Sequence, residues 1–174
     1  MGEFYRTDVK IDPDGNDAMI IIAKSAAGWQ GHMSLLLKVK GSWYYFYFGA
    51  TTKIMFGKSE IVLKKVKLPK KLSQVNNSVG YKHNYTTSFY ISGNFDKAYS
   101  YVKNVKKDKP YYSVLRNNCS DVSIYALLAS MQYSQNSLTA SKVYSLKKLQ
   151  KRSMRPNGMV GPLKNIFGSP KYKR

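Results

Sequence analysis

Apolar and polar residues follow two different rhythms along this chain. Between residues 18 and 91 the apolar stretches are short, β-branched or aromatic, and broken by Gly, Pro and Asn. AMIIIAK (18–24) is an unbroken β-branched run that predicts a buried strand. SAAGWQG interrupts it, and HMSLLLKVK and SWYYFYF then read as the two arms of a hairpin about Gly41-Ser42. EIVLKKVKL (60–68) alternates imperfectly, suits another strand and is ended by Pro69, while YTTSFYI (85–91) suits a further one.

Beyond residue 91 the period changes. In NFDKAYSYVKNVKK, Phe95, Ala98, Val102 and Val105 recur at helical spacing, with Asn94 as the N-cap. DKPYY breaks the pattern, CSDVSIYALLASM (119–131) reads as a largely buried helix, and SKVYSLKKLQKR (141–152) as a shorter, more basic one. The stretch from Pro156 mixes Pro, Gly and Lys without visible periodicity, which predicts a basic C-terminal tail over 156–174, ordered only by contact. IDPDGND reads as a turn, so residues 1–17 form a polar N-terminal segment. What remains, 18–155, is one α+β domain, an antiparallel sheet packed against helices.

Composition supports a real core. The chain has 174 residues, 43% of them hydrophobic and 14% aromatic, too apolar for a disordered chain. No stretch approaches the ~20 apolar residues of a membrane span, and MGEFYRTDVKIDPDGND holds no hydrophobic signal core. The net charge of +20 is unevenly placed. Five of the nine acids lie in the first seventeen residues, and from Ala18 onward four acids face 27 Lys and Arg. Such a body is drawn to polyanions: nucleic acid, anionic phospholipid or an acidic protein.

The candidate chemistry rests on three residues. Cys119 is the only cysteine, which excludes an internal disulfide, and it follows Asn117-Asn118 at the start of an apolar helical run. Unpaired N–H groups and the positive dipole end at such a position favour a thiolate and can hold a developing oxyanion. A free cysteine is, however, more often buried packing. Of the two histidines, His83 falls in a polar stretch and reads as solvated surface. His32 stands between Gly31 and an apolar strand, where a buried imidazole needs a partner and where glycine permits close approach of another backbone. With no second Cys, no paired His at ligand spacing and no Gly-rich strand-to-helix loop, neither a metal site, a phosphate loop nor a cofactor is expected.

QGHMSLLLKVKGSWYYFYFG followed by YYSVLRNNCSDVSIYALL resembles the circularly permuted branch of the papain-like (NlpC-type) superfamily over about residues 28 to 150. That branch includes lecithin:retinol acyltransferase-like enzymes and C-terminal domains of bacterial Rhs and related polymorphic toxins. The resemblance implies a permuted papain-like fold, with Cys119 as nucleophile and His32 as general base. It also implies a third polar residue on the strand after the histidine, and here the sequence departs from the pattern: SWYYFYFGATT holds no His, Asn, Gln or acid. Tyr47 is the aligned candidate. In a hairpin about Gly41-Ser42, Thr51 would face His32 and Tyr47 would share its face. Asn118, Asp121 and Thr51 are the candidate oxyanion and support residues, with Asp121 favouring the helix dipole and contacting backbone N–H groups.

Three functions fit. The first is a cysteine acyl hydrolase or acyltransferase, phospholipase-like, acting on membrane phospholipid esters, for which a basic body supplies attraction to anionic headgroups. The second is a peptidoglycan amidase or cysteine peptidase using the same pair. The third is a basic, Tyr-rich nucleic-acid binder or nuclease, against which stands the lack of any clustered acid–His or metal constellation; no obligate nucleic acid is expected. The toxin resemblance implies delivery into a target cell as the C-terminal part of a larger secreted bacterial effector. It also implies a cognate immunity protein, which for a +20 chain would be acidic.

Overall fold

The computed structural model describes residues 18–28, 30–51, 56–133, 137–152 and 155–168. Five strands, β1 (Ala18–Ala23), β2 (His32–Val39), β3 (Ser42–Ala50), β5 (Ser59–Val66) and β6 (Thr87–Ile91), form one sheet in the order β5-β3-β2-β1-β6. Every neighbouring pair in it is antiparallel. The two-residue strands β4 (Phe56–Gly57) and β7 (Tyr112–Ser113) pair separately. Helices α1 (Asp96–Asp108), α2 (Cys119–Met131), α3 (Ser137–Lys151) and α4 (Pro156–Phe167) complete the α+β fold.

β1 reads as a continuous apolar run because both of its faces are covered. Ile20 and Ile22 point to the helices, with Met33, Leu35, Phe46, Phe48 and the buried sides of α1, α2 and α4. Met19 and Ile21 point the other way, with Leu36, Tyr45 and Tyr47, under a segment that contributes Leu72, Val75, Tyr81 and Tyr85. The second layer is rich in tyrosine, and the hydroxyls of Tyr45, Tyr85 and Ser34 satisfy one another. Ser34 Oγ lies 2.7 Å from the Tyr85 hydroxyl, which lies 2.5 Å from that of Tyr45. The Lys82 N–H donates to the Tyr45 hydroxyl at 3.3 Å.

The β2–β3 hairpin turns at Lys40-Gly41, with φ of 50° and 79°, the left-handed pair that a two-residue hairpin turn of type I′ requires. This corrects the expected Gly41-Ser42 turn and displaces the register by two residues, so that Val39 pairs with Ser42 and Leu35 with Phe46. A two-residue displacement leaves every side chain on its face. Tyr47 therefore keeps the face of His32, but Thr51 falls past the end of β3. There its N–H and Oγ1 both bond the Lys58 carbonyl, at 3.1 and 3.0 Å, and its side chain is exposed.

Two further expectations change at helix ends. Phe95, not Asn94, is the cap of α1, although the Asn94 Oδ1 accepts the Asp96 N–H at 2.9 Å and so performs the capping bond. The larger correction concerns the expected tail over 156–174. Residues 156–167 are helix α4, which buries Pro156, Met159, Val160 and Leu163 at helical spacing. Pro156 occupies the first helical turn, where its missing N–H has no intrahelical acceptor in any case. Asn157 closes the packing: its N–H donates to the Gln30 carbonyl at 3.0 Å and its Nδ2 to the Lys24 carbonyl at 2.9 Å. A Cβ on Gly31 (φ 87°) would sit 2.3 Å from Asn157 Oδ1, so the glycine before His32 is there to admit α4. Residues 1–17 and 169–174 lie outside the described residues.

α4 therefore belongs to the core, and Leu163→Ala should cost about 2–5 kcal/mol of unfolding free energy in denaturant titration. A loss below ~0.5 kcal/mol would show that α4 is an appendage.

Candidate active site

Helix α2 begins where its sequence says it must. Asn118 adopts an extended backbone, and its Oδ1 accepts the Asp121 N–H at 3.0 Å. Asp121 Oδ2 accepts the Asn118 N–H at 3.0 Å, which completes a reciprocal capping box. Asn118 Nδ2 holds the preceding loop through the Val114 carbonyl at 3.0 Å. Burial raises the Asp121 carboxyl above its ordinary value, partly offset by the Asn118 N–H. Both residues thus fix the first turn of the helix and present Cys119 at its first position.

The Cys119 sulfur accepts the backbone N–H of Met33 at 3.4 Å. This bond exists because the sheet opens beside it. β2 and β3 pair no further than Leu35–Phe46, although β2 stays paired with β1 through His32. The freed Met33 amide turns to the thiol instead of a β3 carbonyl. The Ser120 N–H and the Tyr112 hydroxyl also face the sulfur and favour its anion. Tyr112 is itself packed on Phe48, ring centres 5.5 Å apart. Burial outweighs these donors, and the thiol, 1% exposed, is pushed up to about 11.

His32 occupies the same strand end from the other side of the pleat. Its ring stacks on Tyr47 at 4.6 Å with 23° between planes, and His83 stands 4.7 Å away at 43°. The Nε2 atom is buried and has no hydrogen-bond partner among the described residues. Burial first, and His83 second, hold this imidazole well below its usual value, so it is neutral at neutral pH. Tyr47 covers the imidazole. Its ring lies on His32, and its hydroxyl lies over Gly49, where a Cβ would be 2.3 Å away. Burial raises its phenol, and both Glu60 and Cys119 add to the rise.

Cys119, His32, Tyr47, Asn118 and Asp121 are therefore brought to one end of β2, and Thr51 is not. Among the described residues no hydrogen bond joins the Cys119 sulfur to the His32 imidazole: the thiol lies with the helix-side core and the imidazole on the tyrosine side. The sequence reading missed two members of the site. His83 is half-buried against His32, not solvated surface. Its signal is the alternation Tyr81-x-His83-x-Tyr85, which puts three rings on one side of an extended segment. Lys82, between them, pairs with Glu60 of β5 and ties the segment to the sheet. Tyr112 carries no sequence signal beyond its place seven residues before the cysteine.

No group of three His, Cys, Asp or Glu side chains among the described residues is placed to hold a metal. Nor is any helix among them long and apolar enough to cross a membrane. No family model matches the sequence, and no curated protein or solved structure matches it.

At neutral pH the site rests as thiol and neutral imidazole. A thiol raised to about 11 holds far less thiolate at pH 7 than a free cysteine near 8.5. Alkylation of folded Cys119 by iodoacetamide should be at least ~10-fold slower than that of the unfolded chain at pH 7, and should rise with pH up to about 11. Fast, pH-independent alkylation between pH 5 and 8 would reveal a preformed thiolate–imidazolium pair instead.

Proposed function

We propose that this protein is a cysteine-dependent acyl hydrolase or acyltransferase acting on phospholipid esters, with Cys119 as nucleophile and His32 as its base. One observation carries the reading. A thiol at the first position of a capped helix, bonded by a backbone N–H, shares a strand end with a buried imidazole whose Nε2 has no partner. A buried, unpaired imidazole nitrogen costs stability, and a role as proton acceptor accounts for keeping it. The resemblance to acyltransferase-like enzymes and the +20 charge direct the reading to lipid esters.

The step follows from the donors present. It requires substrate entry to displace side chains at the open end between β2 and β3. It also requires that entry to bring the thiol, which is not bonded to His32 in the resting site, within reach of His32 Nε2, which then takes its proton. The sulfur attacks the ester carbonyl, and the oxyanion is held by the N–H groups of Met33, Cys119 and Ser120, the last two lying in the first turn of α2 without an intrahelical acceptor. Collapse breaks the ester C–O bond, and the imidazolium protonates the departing alcohol. A water or second acceptor, deprotonated by His32, then cleaves the thioester and restores the thiol. Because neither Cys119 nor His32 favours its charged form in the resting site, proton transfer accompanies attack and does not precede it. Tyr47 and His83 hold the His32 ring from two sides, and Asn118 and Asp121 hold the helix start.

Wild-type protein incubated with mixed phospholipid vesicles should release fatty acid or lysolipid, detected by mass spectrometry. Cys119→Ala and His32→Ala should each lower the rate at least ~100-fold. His83→Gln should change the pH dependence of the rate more than its maximum. Release of stem peptide from peptidoglycan fragments, with no lipid product, would move the same residues to an amidase. Equal activity of wild type and Cys119→Ala would refute the thiol mechanism.

A further inference from the structure

β5 is an edge strand, and residues 61 to 95 contain no acid. Along its outer side runs a groove of about 610 Å³ whose walls carry Lys64, Lys65, Lys67 and Lys70, with Val79 and Tyr81 opposite. The second wall is fixed: Lys64 Nζ donates to the Gly80 carbonyl, and a short helical turn, Asn77–Val79, holds Val79 out so that it is 61% exposed. Lysines on an edge strand are ordinarily explained as protection against edge-to-edge pairing. That explanation covers Lys64 and Lys65 but not Lys67 and Lys70, which lie past the end of the strand.

A second observation points to a ligand. Tyr81 lines the groove, is only 4% exposed, and its buried hydroxyl has no partner among the described residues. Burial raises its phenol to about 12, so the group remains a hydrogen-bond donor at any physiological pH. Clustered ammonium groups along one groove, with a hydroxyl donor in its wall, suit phosphate oxygens.

We infer that this groove is the surface on which the protein docks to anionic phospholipid, the lysines meeting headgroup phosphates and Val79 entering the boundary with the acyl chains. The assignment rests on the phospholipid reading of the active site and gives that reading its interface. Two features favour a lipid surface over nucleic acid. The groove's aromatic ring is not available for base stacking, since Tyr81 is packed edge-on against Tyr45 at 4.8 Å. The exposed side chain beside the lysines is aliphatic, which suits an interface with an apolar interior.

The test uses the Cys119→Ala chain, so that no lipid is consumed, and sedimentation with phosphatidylcholine vesicles with or without phosphatidylglycerol. Lys65→Gln/Lys67→Gln/Lys70→Gln should weaken binding to the anionic vesicles about 100-fold, from roughly fivefold per lysine. Lys106→Gln/Lys107→Gln/Lys147→Gln removes the same charge from α1 and α3 and should cost less than about threefold. Tyr81→Phe should weaken binding a further two- to tenfold or so, with thermal unfolding confirming that each variant is folded. Equal loss in the two triple variants would show charge without a site and overturn the assignment. So would tighter, groove-dependent binding of a single-stranded oligonucleotide or an acidic peptide than of anionic vesicles. Groove-dependent vesicle binding with no lipid product from wild type would keep the docking surface and remove the lipase. Lipid hydrolysis indifferent to the groove variants would do the reverse.

Discussion

The amide of Met33 joins the sheet to helix α2 by donating to the Cys119 sulfur at 3.4 Å, and the site is arranged around that bond. It requires β2 to stop pairing with β3 after Leu35 while remaining paired with β1. It also requires α2 to start at Cys119, which the Asn118–Asp121 box enforces. Opening the ladder frees an N–H that would otherwise be unsatisfied in a buried place, and the sulfur is a weak acceptor for it. A strong acceptor would have been a better structural solution. In the proposed reaction, a weak one suits an amide whose better partner is the oxyanion of a substrate.

The second constraint is burial on both faces of the sheet. Helices cover one face and the tyrosine layer covers the other, so the His32 imidazole is held by rings rather than by hydrogen bonds. Placed this way, neither His32 nor Cys119 favours its charged form, and the resting site is electrically quiet. The positive charge is carried elsewhere, on the exposed surface and the edge of β5, where it attracts polyanions without turning the buried thiol into a thiolate. Under the proposed function, attraction and chemistry fall to different parts of one small domain.

Much of this arrangement can be read along the chain. The unbroken run of β1, the capping residues before Cys119 and the helical spacing in α1 each follow from local pattern, and the structure contains all three. The hairpin register did not follow, because Lys40 adopts a positive φ that a non-glycine residue rarely takes, and Gly41-Ser42 was the simpler turn. Thr51 fell out of the site with that register. Helix α4 was hidden by Pro162 and its glycines, although Pro156, Met159, Val160 and Leu163 keep helical spacing. His83 was passed over since its polar neighbours, Lys82 and Asn84, describe the outer side of its segment and not the side that faces the sheet.

In the proposed reaction Cys119 carries the acyl group. The most direct test is intact-protein mass spectrometry of the chain quenched in acid shortly after mixing with phospholipid, followed by peptide mapping. A thioester intermediate gives a fatty-acyl mass increment that maps to Cys119, disappears with neutral hydroxylamine, and is absent from Cys119→Ala. An increment that maps to a lysine or serine, or that persists in Cys119→Ala, would contradict it.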